Sequence, residues 1–144
     1  TSQGAVSTFD SLNHLTGDGD LGRFFERLYY FLDPKGLLVF DCNSPYKHKK
    51  ILGNQTFVYD TPSVYCVWQN QTRDLTTRIT LDFFVPEGDT FSRTKEQFLE
   101  RGYEQEEIIA AAKGKFSLLA VYDDMTFDKP KADSQRLIYV MQKQ

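Results

Sequence analysis

Cysteine is nearly absent: Cys42 and Cys66 are the only two in 144 residues. Neither stands in a C-x-x-C or mixed Cys/His spacing, so a disulfide framework is excluded, both thiols are expected to be buried and reduced, and no metal is assigned. Long apolar runs are missing too. No stretch approaches the ~20 residues a membrane-spanning helix requires, and no signal-peptide pattern is present, so a cytoplasmic protein without membrane contact is expected. Positive charge is also short, with 17 Lys and Arg against 20 Asp and Glu, a net charge of −3 and a pI near 5.4. That balance offers phosphate backbones no general attraction, and no nucleic-acid partner is expected. No linker or low-complexity tract divides the chain, which is read as one domain over residues 1–144.

Aromatic residues are plentiful, with twelve Phe and eight Tyr. They imply a broad apolar interior or an aromatic surface turned toward a ligand. A β-prone run at Ala5–Phe9 leads into the polar turn Asp10-Ser11-Leu12-Asn13. Thr16, Asp18 or Asp20 can cap a helix whose apolar residues Leu21, Phe24, Phe25, Leu28 and Phe31 recur at three- and four-residue steps. Pro34 and Gly36 end it, and Leu37–Phe40 reads as a strand covered on both faces and closed by Asp41. Helix, short turn and buried strand imply a parallel crossover.

The middle follows a different period. Thr56–Asp60, Val64–Gln69, Thr76–Val85 and Phe91–Tyr103 are β-rich, with turn chemistry between them, so an antiparallel meander over about residues 51–103 is expected. Trp68, Tyr65, Phe83 and Phe84 are read as its packing face. A helix over Gln105–Lys113 and strands at Phe116–Tyr122 and Arg136–Met141 complete the chain.

Several segments carry candidate chemistry. Gly17-Asp18-Gly19-Asp20-Leu21-Gly22 matches G-x-G-x-x-G formally, but two aspartates in the loop would repel a phosphate, so it is read as a glycine-rich helix start. Asp10-Ser11-Leu12-Asn13 and Asn43-Ser44-Pro45-Tyr46-Lys47 each follow a strand at the edge where open α/β sheets place ligands. Both also fit ordinary turns, since short polar side chains bond their own backbone. His48, Lys49 and Lys50 form a short basic run read as a solvated loop, and His14 is read as a solvated loop histidine. Arg101 and Tyr103 share a face by strand period and together suit a carboxylate or a phenol-like group. Arg136, in Ser134-Gln135-Arg136, is read as a structural ion-pair partner.

Taken together, Leu32–Asp41, Asp10–Asn13, Asn43–Lys47, Lys95–Tyr103 and Ser134–Arg136 resemble the class I S-adenosylmethionine-dependent methyltransferases. More narrowly, they resemble the bacterial small-molecule type with an antiparallel sheet inserted after the fifth strand. The resemblance runs from about residue 4 to the carboxyl terminus. It implies an α/β fold: the back half of a Rossmann-like methyltransferase sheet with an inserted meander. It implies a parent enzyme that methylates a small molecule, with Asp10, Ser11 and Asn13 beside the cofactor and Asn43, Tyr46, Arg101 and Tyr103 facing the substrate. The chain departs from the pattern where Phe98 and Leu99 stand near the usual histidine. It also lacks the Gly-rich loop that holds the cofactor's methionine end, so weak or no binding of S-adenosylmethionine is expected from this chain alone. A non-catalytic binding or assembly module is the alternative, and a pocket protein using the aromatic meander is a third reading. An unpaired edge at the first strand further implies a homodimer through residues 1–10 or Leu37–Asp41.

Overall fold

The computed structural model describes residues 2–7 and 11–144. In chain order these form β1 (Ser2–Ser7), a 3-10 turn (Ser11–His14), α1 (Asp20–Phe31), β2 (Leu32–Asn43) and a π-helical turn (Lys47–Leu52). Then come β3 (Thr56–Asp60), β4 (Tyr65–Arg73), β5 (Thr76–Glu87), β6 (Thr90–Arg101), α2 (Gln105–Ala112), β7 (Phe116–Asp123) and β8 (Arg136–Lys143). The described strands make two sheets, ordered β1-β2-β8-β7 and β3-β4-β5-β6. The first is the partial Rossmann-like sheet, with β1 and β2 parallel across α1, and the second is the antiparallel meander.

α1 forms because its apolar residues fall on one stripe, of which Leu21 and Phe25 are buried. Its start differs from expectation. Gly19 takes the capping position at φ 78°, a left-handed conformation that costs glycine little, in place of Thr16, Asp18 or Asp20. Asp20 turns its carboxylate back onto Arg23 and onto the Gly17 N–H at 2.8 Å. The Arg23 hydrogen bond first, and the Gly17 one second, hold the Asp20 carboxyl below its usual range. At the other end the last turn has no basic residue of its own. Lys143 supplies the cation from β8, donating to the carbonyls of Tyr29 (2.6 Å) and Leu32 (2.8 Å).

The turn Pro34-Lys35-Gly36 interrupts β2 without ending it. Leu32 pairs with Ser2 and Leu37 with Gly4, so residues Asp33–Gly36 bulge out of the ladder and Lys35 is driven to φ 63°. The two faces of β2 are covered unequally among the described residues, fully along one and only toward the Asn43 end of the other. Leu38, Phe40 and Cys42 are buried, whereas Leu37 is 42% exposed. On the covered face Tyr139 stacks on Phe40 at 5.1 Å, and Phe25 meets both Phe40 and Phe116 at 5.9 Å. α2 adds Ile108 and Ala112 to the same core. Tyr139 is fully buried, and loss of solvation pushes its phenol far above the usual range.

In the meander the strand register sets Thr72, Thr77 and Glu100 side by side, then Asn70, Ile79 and Phe98, then Trp68, Leu81 and Glu96. Asn70, Thr77 and Ile79 are buried, which identifies the inward face. The four aromatics expected on one face divide between two. Trp68 and Phe83 lie inward, whereas strand alternation places Tyr65 and Phe84 on the outer face, where their rings meet at 6.2 Å.

Candidate functional site

The parallel strands β1 and β2 deliver their carboxyl ends to one edge, and the end of β6 arrives there from the second sheet. Asn13, in the turn that follows β1, joins the ends of β2 and β6. It is fully buried, its Nδ2 donates to the Arg101 carbonyl at 2.9 Å, and its Oδ1 accepts from the Asn43 N–H at 2.8 Å. Both ends of the amide are thus engaged by protein, and Asn13 braces the loop from within. Of the other two expected cofactor residues, Asp10 lies outside the described residues, and Ser11 opens the 3-10 turn with its side chain outside them.

Asn43 is buried, and its Oδ1 accepts from Lys47 Nζ at 3.1 Å. Ser44 accepts from the Lys47 N–H at 3.2 Å and donates to the Ser134 carbonyl, so Asn43–Lys47 starts the π-helical turn. Tyr46 is half-buried at that start. Arg101 and Tyr103 do come together, but by stacking on each other: the guanidinium lies 4.7 Å over the Tyr103 ring and its Nη2 reaches Glu107 at 3.2 Å. Tyr103 stands beyond the end of β6, is buried, and donates its hydroxyl to the Leu15 carbonyl. Burial raises its phenol above the usual range, with Arg101 opposing.

The basic run divides. Lys49 and Lys50 are exposed, but His48 is fully buried, which overturns its reading as a solvated loop residue. Its Nδ1 lies 2.9 Å from Thr77 Oγ1, which lies 2.8 Å from Thr72 Oγ1, which in turn donates to the Gly53 carbonyl at 2.7 Å. This polar chain pins the π-helical turn to the inward face of the meander. The signal for it was Leu52, buried one turn after His48 on the same face. His14, also read as solvated, is half-exposed with Nε2 3.7 Å from Glu100 Oε1 and its ring 6.1 Å from Phe98. Arg136 pairs with Asp41 at 3.4 Å in the structural role expected of it.

A shallow concavity of about 500 Å³ on the outer meander face is lined by Tyr65, Phe84, Pro86 and Phe91. Among the described residues no cluster of three His, Cys, Asp or Glu is arranged to hold a metal, and no helix is long and apolar enough to cross a membrane.

A parallel pair whose carboxyl edge is met by the end of an antiparallel sheet is an arrangement this chain shares with solved S-adenosylmethionine-dependent methyltransferases. An S-adenosylmethionine-dependent methyltransferase from Clostridium acetobutylicum superposes with a TM-score of 0.88 at 30% identity, over 97% of this chain and 57% of that one. The CcbJ methyltransferase of Streptomyces caelestis shares the fold at a TM-score of 0.82 and 15% identity, over 98% of this chain and 57% of that one. Among curated proteins, the chain is 31% identical over 137 residues to YqeM of Bacillus subtilis, which carries a provisional methyltransferase name. That match covers 93% of this chain and 56% of YqeM, so the chain spans little more than half the length of the relatives it matches. No family model matches it.

Proposed function

We propose that this chain is the acceptor-binding half of an S-adenosylmethionine-dependent methyltransferase acting on a small molecule. The observation that carries the reading is the Asn13 brace, which fixes a loop, a parallel strand end and the end of the meander's β6 at one edge. Open α/β sheets bind ligands at such an edge. In this reading the cofactor's methionine end lies along this edge. With the Asn13 amide engaged by protein, Asp10 and Ser11 are the loop residues left to meet it, and the remaining contacts fall to residues beyond this chain. When bound, the group supplies an electrophilic sulfonium methyl. The chain's own contribution is alignment and exclusion of water: Tyr46 at the mouth, the inward meander residues above, and Arg101 held over Tyr103 beside it.

A binding or assembly module is the second reading. One observation favours it: β1 has β2 as its single described neighbour, and Leu37 is exposed beside it. The same surface suits the rest of a full-length enzyme or a second copy in a homodimer, and a cytoplasmic location goes with either.

A protein extended to the length of its relatives, given radiolabelled S-adenosylmethionine and a small-molecule extract, is expected to label small acceptors. Tyr46→Ala should lower that turnover tenfold or more, about 1.4 kcal/mol in the barrier, while shifting the melting temperature by less than about 3 °C. A large thermal loss with normal labelling would make Tyr46 a packing residue.

A further inference from the structure

We propose that the outer face of the meander carries a ligand site for a small N-methylated ammonium compound, with Tyr65, Phe84 and Phe91 as its walls and Asp60 as its counter-charge. The site is separate from the edge where β1 and β2 end, and it does not depend on the methyltransferase reading.

The strand register builds it. Asp60, Tyr65 and Phe84 stand in one cross-strand row, and Pro86 and Phe91 face each other two residues further along β5. Directly paired residues project from the same side of a sheet with Cβ atoms about 5 Å apart, so these five share one face. It is the face opposite Thr77 and Phe98, which meet His48 and His14. With Thr61 they line the concavity of about 500 Å³, a volume that suits a small molecule.

The rings stand open at this place. Tyr65 and Phe84 are inclined at 66° with centroids 6.2 Å apart, so they form a corner and not a closed stack. Phe91 beside them is 63% exposed. An apolar concavity rimmed by polar groups is the form that recognition surfaces take.

Charge selects the occupant. The Asp60 carboxylate has no hydrogen bond or ion pair among the described residues. Thr61, the other polar side chain of the lining, is engaged by its own turn: its Oγ1 donates to the Val64 carbonyl at 2.9 Å and accepts from the Val64 N–H at 3.1 Å. Arg93, opposite Phe84 on β6, donates through Nε and Nη2 to one oxygen of Asp82, at 3.1 and 2.9 Å. Its guanidinium still lies 5.6 Å over the Phe84 ring, so one ring of the site already holds a cation against its face. Lys95 stands a row further back, opposite Asp82.

An unpaired carboxylate beside three rings suits a cation with apolar bulk. An N-methylated ammonium meets both demands, because its charge is spread over methyl groups that pack on ring faces, and it holds water less tightly than a bare ammonium. An anion would be repelled by Asp60, and a neutral apolar ligand would cover that carboxylate without pairing it.

Choline and its neutral carbon isostere, 3,3-dimethylbutan-1-ol, share one shape and differ in charge. In proton NMR titrations of this chain, the choline methyl signal should move upfield by ring-current shielding in a saturable way, with the isostere at least about tenfold weaker. Asp60→Asn, which keeps the size of an exposed side chain, should weaken choline about tenfold and leave the isostere unchanged. Tyr65→Leu should weaken both and reduce the upfield shift. Melting temperatures within about 3 °C of the parent chain establish that the variants are folded, and if Tyr65→Leu melts lower, Asp60→Asn decides alone. Equal affinity for choline and the isostere, no upfield shift, or an unchanged Asp60→Asn variant would overturn the proposal. So would co-sedimentation with phosphatidylcholine vesicles without binding of free choline, which would make this face a membrane contact.

Discussion

Phe25→Ala lowers the stability of this protein by about 3–5 kcal/mol, the largest loss expected from any single core truncation here. Phe25 is fully buried and meets Phe24 at 5.2 Å, Phe40 at 5.9 Å and Phe116 at 5.9 Å. It therefore joins α1 to β2 and to β7, and truncation leaves a cavity bounded by aromatic rings that have little freedom to collapse into it. The measurement is a denaturant or thermal melt, with a fall of roughly 10 °C or more. Phe31→Ala on the same helix is the control. Its side chain is largely exposed, and a loss of less than about 1 kcal/mol is expected. Equal losses at the two positions would contradict the packing described.

Gly102→Ala is expected to cost about 1–3 kcal/mol for a single added methyl group. A Cβ at this position would lie 2.8 Å from His48 Cδ2 and 3.3 Å from its Cγ. The ring has nowhere to retreat, because it is buried and tied through Thr77 and Thr72 to the Gly53 carbonyl. The Gly102 N–H is in turn bonded to the Leu75 carbonyl at 2.8 Å, which holds the backbone side of the contact. A double-mutant cycle checks the cause. In a His48→Ala background the Gly102→Ala penalty should fall by at least half, and an unchanged penalty would place the strain elsewhere.

These two residues mark what was readable in the chain and what was not. Phe25 was visible from helical period alone, and so were α1, the parallel step to β2, and the alternating strands of the meander. Their signals are local and repeat. The groups that cap α1 were not visible, because Gly19 caps by conformation and Lys143 arrives from more than a hundred residues away. His48 was hidden by the lysines around it, of which Lys49 and Lys50 are exposed to solvent. At the carboxyl edge, the turn at Ser11–Asn13 and the break after β2 at Asn43–Lys47 were recognisable in the sequence. The internal use of the Asn13 amide was not, since its partners Asn43 and Arg101 are 30 and 88 residues away. The division of Tyr65 and Phe84 from Trp68 and Phe83 was present in the strand alternation, but it required the register to be fixed first.

The central claim is that this chain supplies one side of a methyltransferase site and that the cofactor needs the other. Calorimetry with S-adenosylmethionine tests it directly, run in parallel on this chain and on a protein extended to the length of its relatives. The account predicts binding weaker than about millimolar, less than roughly 4 kcal/mol, for the 144-residue chain, and binding at least about a hundredfold tighter for the extended protein. Micromolar binding by the chain alone, or no gain on extension, would contradict it.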